Sequence, residues 1–351
     1  MRRRTLLSAT LSATLSATLS ATGLSAATMV GAGLAGVCGL GVRTRRAVAQ
    51  AAYPSRALTL IVPFMPSSSI GINAQLLRPQ LAQVLGQSVE LQFVQGGGGM
   101  SGHLLGIEAD PDGYTVTMVS SSLTAQPWLS RASVAAPDDF AFVGQVTCLP
   151  SVLLVRADSP YQSLDELVAA VRAEPGSLAT GTLIGWWPPA LARALFDLRA
   201  AIKPRVVSSY YSGAELVVAL SQGQLDYAVV GLGDLGLSLD GLRLRALAVT
   251  GRTQVLPAVP SFQEQGWDVT LGWWRGLAVP VDTPDEAVAR LAAALREALE
   301  SPALRADFGR NGLSVDPLDG PAFRQFVLAE YRTVGGLLSA LGLNVRGTKP
   351  M

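Results

Sequence analysis

Apolar and polar positions follow one another in blocks that predict short strands and amphipathic helices. Leu58–Phe64 is an apolar, β-branched run, and leucine and valine recur at helical spacing over residues 76–85 until Gly86. Val89–Val94 and Tyr114–Val119 predict two further strands, each followed by a glycine- or serine-rich segment. This alternation of strands and helices favours parallel strands joined by right-handed helical crossovers.

The rest of the chain continues the pattern. Ser163-Leu164-Asp165-Glu166 and Thr283-Pro284-Asp285-Glu286 have the form of capping boxes, which predict helix starts. Further strands are predicted at Arg205–Ser209, Leu225–Val230 and Arg243–Thr250, and further helices at Gly213–Gln222 and 322–341. The fold class predicted from the pattern is α/β.

Composition narrows the class of protein. The chain has 351 residues, of which 49% are apolar and 15% charged, so it forms either two α/β domains or one large one and is not disordered. Six of the 27 basic residues lie within residues 1–52, which contain no acid, so 21 basic and 26 acidic residues remain. The body therefore has no basic excess for nucleic acid or an anionic membrane surface.

Residues 1–51 are predicted to be an export signal peptide. Arg2-Arg3-Arg4 is followed by an Ala/Gly-rich apolar stretch, lengthened by four LSAT repeats, and both Ala47-Val48-Ala49 and Ala49-Gln50-Ala51 fit the cleavage rule. Arg3 to Leu7 resembles a twin-arginine signal, and the general secretory route is the alternative. Two other interpretations are an uncleaved anchor at residues 21–42 and a lipoprotein box ending at Cys38.

Residues for catalysis, metal or cofactor binding are scarce. Removal of the signal leaves Cys148 alone, which excludes an internal disulfide and argues against a metal site built from cysteines. His103 is the single histidine and is interpreted as a surface or packing residue, and no G-x-S-x-G motif occurs. We therefore predict no catalytic residues, no metal and no cofactor.

Three polar, uncharged segments follow predicted strands. They are residues 67–71, 96–102 and 120–122, and in open α/β sheets ligands bind beyond the carboxyl ends of the strands. Gly97-x-Gly99-x-x-Gly102 matches a dinucleotide fingerprint, but the acid expected after the next strand is replaced by Val119-Ser120. Two interpretations of the glycines remain: they expose backbone N–H groups for an anion at a helix N-terminus, or they only permit a tight turn. The serines are interpreted either as part of the ligand site or as an ordinary helix N-cap.

Aromatic doublets are a second unusual feature. Trp186-Trp187, Tyr210-Tyr211 and Trp273-Trp274 all lie beside glycine, proline or serine. The sequence leaves two alternatives for these side chains: they pack in a core, or they lie on loops that line a cleft.

Several short motifs recur in a specific order and spacing. They are Tyr53-Pro54-Ser55-Arg56 with LTLIVPF, Leu85-Gly86-Gln87, Pro111-Asp112-Gly113-Tyr114-Thr115, Ser163–Leu167 with Pro175-Gly176, Gly223-Gln224-Leu225, LRALAVTG at 244–251, Leu256–Pro260 and Pro280–Pro284. Over residues 53–343 the chain thus resembles the Bug family, the extracytoplasmic receptors of tripartite tricarboxylate transporters.

The resemblance implies a type II periplasmic-binding-protein fold, with two α/β lobes, a hinge and a central ligand cleft. It places lobe 1 at 53–153 plus 277–351 and lobe 2 at 154–276. It also implies a periplasmic, monomeric receptor that binds a small carboxylate through backbone amides and water for membrane transporter subunits. The same fold presenting its ligand to a signalling partner is the alternative, and a hydrolase is a third possibility.

The departures from the family concentrate at the predicted ligand site. The aspartate of the first loop is replaced by Gly71, a small-residue loop by Ile184–Ala190, and an Asp-Ser pair by Val230-Gly231. These changes predict a monocarboxylate ligand with an aromatic or branched body, although a pocket that no longer binds anything is the alternative. The candidate ligand-binding residues are Ser67, Ser68, Ser69, Gly97, Gly98, Ser120, Ser121, Ser122, Trp186, Trp187, Tyr210, Tyr211, Ser212 and Gly231.

Overall fold

The computed structural model describes residues 53–132, 135–183, 187–235 and 241–345, with only the backbone of residues 208 and 209. All of them lie within one compact unit, Gln50–Met351. The strands among these residues are β1 Leu58–Val62, β2 Val89–Phe93, β3 Thr115–Ser120, β4 Phe140–Arg156, β5 Ala179–Leu183, β6 Arg205–Tyr210, β7 Tyr227–Gly231, β8 Leu244–Val249 and β9 Gly272–Pro280. The α-helices are α1 Ser69–Leu85, α2 Met100–Ile107, α3 Ser122–Leu129, α4 Leu164–Ala173, α5 Pro188–Arg199, α6 Gly213–Ser221, α7 Asp285–Glu300, α8 Pro302–Arg310 and α9 Gly320–Ala340.

The strands form a mixed sheet in the order β2-β1-β3-β9-β4-β7-β5-β6, and β8 also pairs with β4. β1 runs parallel to β2 and β3, as the strand–helix alternation predicts. β9 lies antiparallel between β3 and β4. The predicted α/β class is therefore confirmed.

The long strand β4 belongs to both parts of this sheet. Phe140–Pro150 pairs with β9, whereas Ser151–Arg156 pairs with β7 and β8. We call β2, β1, β3, β9 and the first part of β4 the first half-sheet, and the rest of β4 with β5, β6, β7 and β8 the second half-sheet. The chain crosses between them within β4, and it returns before Gly272.

Local chemistry sets the limits of α1. The Ser68 hydroxyl caps the helix by accepting a hydrogen bond from the Gly71 N–H at 3.1 Å. The helix ends at Gly86, whose φ of 67° is a left-handed conformation that glycine adopts without steric cost. One face of the helix is buried through Leu77, Leu81 and Leu85. The predicted helix and its glycine stop are confirmed.

The two predicted capping boxes differ in outcome. Ser163 caps α4 by accepting from the Glu166 N–H at 3.2 Å, as predicted. The prediction at Thr283 is wrong, because α7 begins at Asp285 with Pro284 as its N-cap residue. Thr283 lies outside the helix, where its N–H donates to the Pro280 carbonyl in a turn, and its buried hydroxyl has no hydrogen-bond partner among the described residues.

The C-terminal helix α9 contacts the cores beneath both half-sheets. Phe323 and Val327 pack with Trp274 of β9. Val334 and Leu337, further along the helix, pack into the core that contains α5 and the second part of β4. None of the helices within the described ranges is long and apolar enough to cross a membrane.

Candidate ligand-binding site

The three strand-end loops of the first half-sheet meet at Gly99. A β-carbon placed on Gly99 would lie 2.9 Å from the Phe64 ring, in the loop after β1, and 3.0 Å from the Ser122 hydroxyl, after β3. Gly99 itself has a φ of 97°. The close approach on both sides requires glycine, and it brings the beginnings of α1, α2 and α3 to one edge of the sheet.

The serines of these loops occupy different positions. Ser67 is exposed and Ser68 caps α1, so the N-cap interpretation is correct for Ser68. Ser69 is the first residue of α1 and is also exposed. After β3, the hydroxyls of Ser120 and Ser122 are hydrogen-bonded at 2.9 Å and buried, and Ser121 precedes α3 without a side-chain cap.

Steric demands account for the glycine run before α2. Gly97 and Gly98 have φ values of 54° and 64°, which disfavour other residues. A β-carbon on Gly98 would meet the Gln126 amide nitrogen at 2.8 Å, and one on Gly102 would meet the Pro63 Cα at 2.7 Å. The tight-turn interpretation is thus correct, and the turn leads directly into the N-terminus of α2.

Trp187 connects the second half-sheet to these loops. Its ring stacks on Trp273 of β9, with centroids 5.7 Å apart and planes 19° apart. It also lies 6.3 Å from the Phe64 ring, centroid to centroid. An aromatic surface therefore borders the strand-end loops at the place where the half-sheets meet. Trp186 lies outside the described residues.

The two candidate tyrosines lie at the end of β6, just before α6. Tyr210 approaches Gly181 of the neighbouring strand and lines a cavity of about 450 Å³ beside α6. Tyr211 is 82% exposed. Ser212 caps α6 by accepting from the Glu215 N–H at 3.3 Å. The aromatic contact with the first half-sheet comes from Trp187.

Gly231, at the end of β7, lies beside a carboxylate that the sequence analysis missed. Its N–H donates to Asp234 Oδ2 at 3.0 Å, and a β-carbon on Gly231 would lie 3.0 Å from the indole nitrogen of Trp273. Burial raises the pKa of Asp234, while the Gly231 hydrogen bond opposes that shift. The segment after β7 thus keeps an acidic group, although Val230-Gly231 replaces the family's Asp-Ser pair.

Arg275 is a second residue that the sequence analysis missed. It lies in β9, is 5% exposed, and donates from Nη2 to the Ser69 hydroxyl at 2.8 Å. Burial lowers the pKa of Arg275 to about 10, so the side chain remains protonated at neutral pH. The residues next to Arg275 in the sequence are mostly apolar and did not indicate a ligand-binding site. Arg275 reaches α1 only because β9 pairs with β3 and β4.

His103 is a packing residue. It is fully buried in α2, and its ring lies edge-on to Phe140 with centroids 6.3 Å apart. Burial lowers the pKa of His103 to about 3, so the imidazole is neutral. The packing interpretation from the sequence is confirmed.

Polar loops beyond the strand ends of an open α/β sheet are a common place for a ligand to bind. A sequence profile of the tripartite tricarboxylate transporter family receptors matches residues 74–343. A protein encoded in the tcbD–tcbE intergenic region of Pseudomonas sp. strain P51 is 31% identical over 258 residues, 72% of this chain and 76% of its own. The chain therefore belongs to this receptor family, whose members are periplasmic solute-binding proteins and not enzymes.

Solved structures agree with this assignment. A TctC solute-binding protein from Polaromonas, determined without ligand, has a TM-score of 0.78 and 25% identity, covering 82% of this chain and 99% of its own. MatC from Rhodopseudomonas palustris with bound malate has a TM-score of 0.60 and 24% identity, covering 82% and 100%. The predicted fold of periplasmic binding proteins is confirmed.

Proposed function

We propose that the protein is an exported receptor that binds a small carboxylate between the two half-sheets and delivers it to the membrane subunits of a tripartite transporter. The observation that carries the proposal is the meeting of three polar loops at Gly99, with Trp187 from the second half-sheet against Phe64. The N-termini of α1, α2 and α3 lie at that edge, and helix N-termini favour anions.

The surroundings of the loops support a monocarboxylate with an aromatic or branched apolar body. Trp187, Trp273 and Phe64 supply ring surface for such a body. Asp234 beside Trp273 disfavours a second carboxylate there by like-charge repulsion. The malate bound to MatC supports the broader class of small carboxylic acids.

Closure of two lobes is part of this proposal. In this proposal the first half-sheet with its helices is lobe 1 and the second half-sheet with its helices is lobe 2. The two crossings between them, within β4 and before Gly272, act as the hinge. Closure would bury the ligand and complete a surface for the membrane subunits. Small-angle X-ray scattering tests it, since a saturating ligand should lower the radius of gyration.

A thermal-shift screen tests the ligand class. The panel contains phenylacetate, isovalerate, malate, adipate, citrate and aspartate, together with the uncharged phenylacetamide. A binding monocarboxylate at 100 times its Kd should stabilise the protein by about 2.7 kcal/mol. Uptake of that labelled acid by cells should be lost on deletion of the gene and restored by the wild-type chain. If no carboxylate shifts the melting temperature, the proposed function is wrong.

A further inference from the structure

Arg275 occupies the face of β9 that is turned toward α1. Trp274 and Gly276 lie on the opposite face, where Trp274 packs against Phe323 and a β-carbon on Gly276 would meet the same ring. Side chains alternate along a strand, so Arg275 shares its face with Trp273, the residue that stacks on Trp187. The cation therefore lies two residues from the aromatic surface of the candidate site.

The charge of Arg275 has no counter-charge among the residues that the structure describes. Nη2 donates to the Ser69 hydroxyl at 2.8 Å, whereas the buried Nη1 has no hydrogen-bond partner. None of the ion pairs formed by the described residues includes Arg275. A buried, unpaired cation is costly, and proteins normally pair it with an anion.

Polar residues of β4 and α1 lie next to Arg275. Thr147, its register partner in β4, accepts from the Asn73 amide of α1 at 3.3 Å. Asn73 is fully buried and its Oδ1 has no partner. Arg275, Thr147 and Asn73 thus form a buried polar cluster beneath the first turns of α1, between that helix and the sheet.

Ser69 links this buried polar cluster to the strand-end loops. It is exposed and begins α1, where the backbone N–H groups carry the positive end of the helix dipole. Because the Ser69 oxygen accepts from Arg275, its hydroxyl hydrogen is free to donate to an incoming anion. One oxyanion at this position would gain the Arg275 charge, the Ser69 hydroxyl and the helix N-terminus together.

We propose that Arg275 and Ser69 form the carboxylate anchor of the ligand site, with Arg275 Nη1 donating to the bound carboxylate. This inference rests on the proposed function and makes it specific. The receptor recognises the charge of a single carboxylate through a buried guanidinium at the N-terminus of α1. Backbone amides alone, as the resemblance implies, would not need that charge.

The test compares each acid with its uncharged amide. Calorimetric Kd values are measured for phenylacetate, phenylacetamide, malate and malamide with wild-type protein and with Arg275→Gln, Arg275→Lys and Ser69→Ala. For an acid that the wild type binds, we expect a preference over its amide of about 100-fold or more, the scale of charge-assisted hydrogen bonds from Arg275 and Ser69 to the carboxylate. Arg275→Gln should reduce that preference to less than about 5-fold, and Arg275→Lys should retain part of it.

Arg290→Gln is the matched control, because it removes a half-buried arginine that donates to the Val84 carbonyl outside the site. It should leave the acid-to-amide ratio unchanged. If Arg275→Gln does not fold, the test rests on the acid-to-amide affinity ratios of Arg275→Lys and of the wild type. A wild-type ratio near 1 overturns the proposed anchor. Unchanged acid binding by folded Arg275→Gln also overturns it, even if its melting temperature falls, and leaves the proposed function standing. If no acid binds to the wild type, both fail.

Discussion

Trp187 stacks on Trp273, with the ring centroids 5.7 Å apart and the ring planes 19° apart. Trp187 precedes α5 of the second half-sheet, and Trp273 lies in β9 of the first. Relative movement of the half-sheets therefore changes this contact. The pair is well placed both to contact a ligand and to report closure.

Trp187→Ala should weaken binding of the preferred monocarboxylate by roughly 1–3 kcal/mol, because one set of apolar contacts is lost. Trp267→Ala is the matched control, since Trp267 packs edge-on against Phe196 in the core of the second half-sheet. Calorimetric Kd values and melting temperatures are measured for both variants. A lower melting temperature with unchanged affinity for Trp187→Ala would show that the ring only packs.

Gly99→Ala should destabilise the protein by about 3 kcal/mol, because a left-handed conformation and steric overlap both oppose a β-carbon. That β-carbon would lie within 3.0 Å of Phe64 and Ser122, so ligand affinity should fall as well. Gly86→Ala is the control, with φ of 67° and nothing within 4 Å of its β-carbon. It should cost only about 1 kcal/mol in urea denaturation. An equal loss of unfolding free energy in Gly99→Ala and Gly86→Ala would contradict the claim that Gly99 is sterically crowded.

Glu330 makes stability depend on pH. Burial raises its pKa to about 7, while hydrogen bonds from the Trp274 indole and the Thr124 hydroxyl oppose that shift. The folded state then binds more protons than the unfolded state above pH 4.5, so stability is full below that pH and is lost as the pH rises to about 7. The loss of unfolding free energy should be on the order of 3 kcal/mol.

Glu330→Gln should flatten this part of the pH profile of the unfolding free energy, measured by denaturant titration from pH 4.5 to 8. Asp197, whose pKa burial raises to about 6, contributes a slope of the same sign, so the difference between wild type and variant is the relevant quantity. Glu297→Gln replaces an exposed glutamate of α7 and should leave the profile as it is. An identical slope in Glu330→Gln and wild type would refute the assignment.

Several features could be predicted because local chemistry determines them. The strand before Ser67, the helix that ends at Gly86 and the Ser163 cap all depend on residues close together in the chain. The Thr283 prediction failed because proline at the next position took over the N-cap. The start of the helix thus differs by one residue from the prediction, which is a common difference at helix ends.

The missed site residues depend on tertiary pairing. Arg275 lies beside Ser120 and Thr147 only because β9 inserts between β3 and β4, strands that are more than a hundred residues away in sequence. Likewise, Asp234 reaches Gly231 through the single turn of helix that follows β7. The doublet at 273–274 was visible in the sequence, but strand pairing decides that Trp273 contacts Trp187 while Trp274 enters the core.

Export should remove the first 49–51 residues, since the arginine start, the apolar stretch and two small-x-small sites lie within them. N-terminal sequencing of the extracytoplasmic protein checks this, and an intact Met1 there would exclude cleavage. Replacing Arg3 and Arg4 with lysine should block the twin-arginine route and spare the general secretory route. Arg45→Lys with Arg46→Lys serves as the control, because it preserves the twin-arginine motif.

Calorimetric titration of the wild-type protein tests the central claim most directly. The account predicts saturable one-to-one binding of an aromatic or branched monocarboxylate, such as phenylacetate or isovalerate, and at least about 100-fold weaker binding of the corresponding amide. Tight binding of citrate or aspartate without any response to aromatic or branched acids, or the absence of saturable binding by every carboxylate, would contradict it.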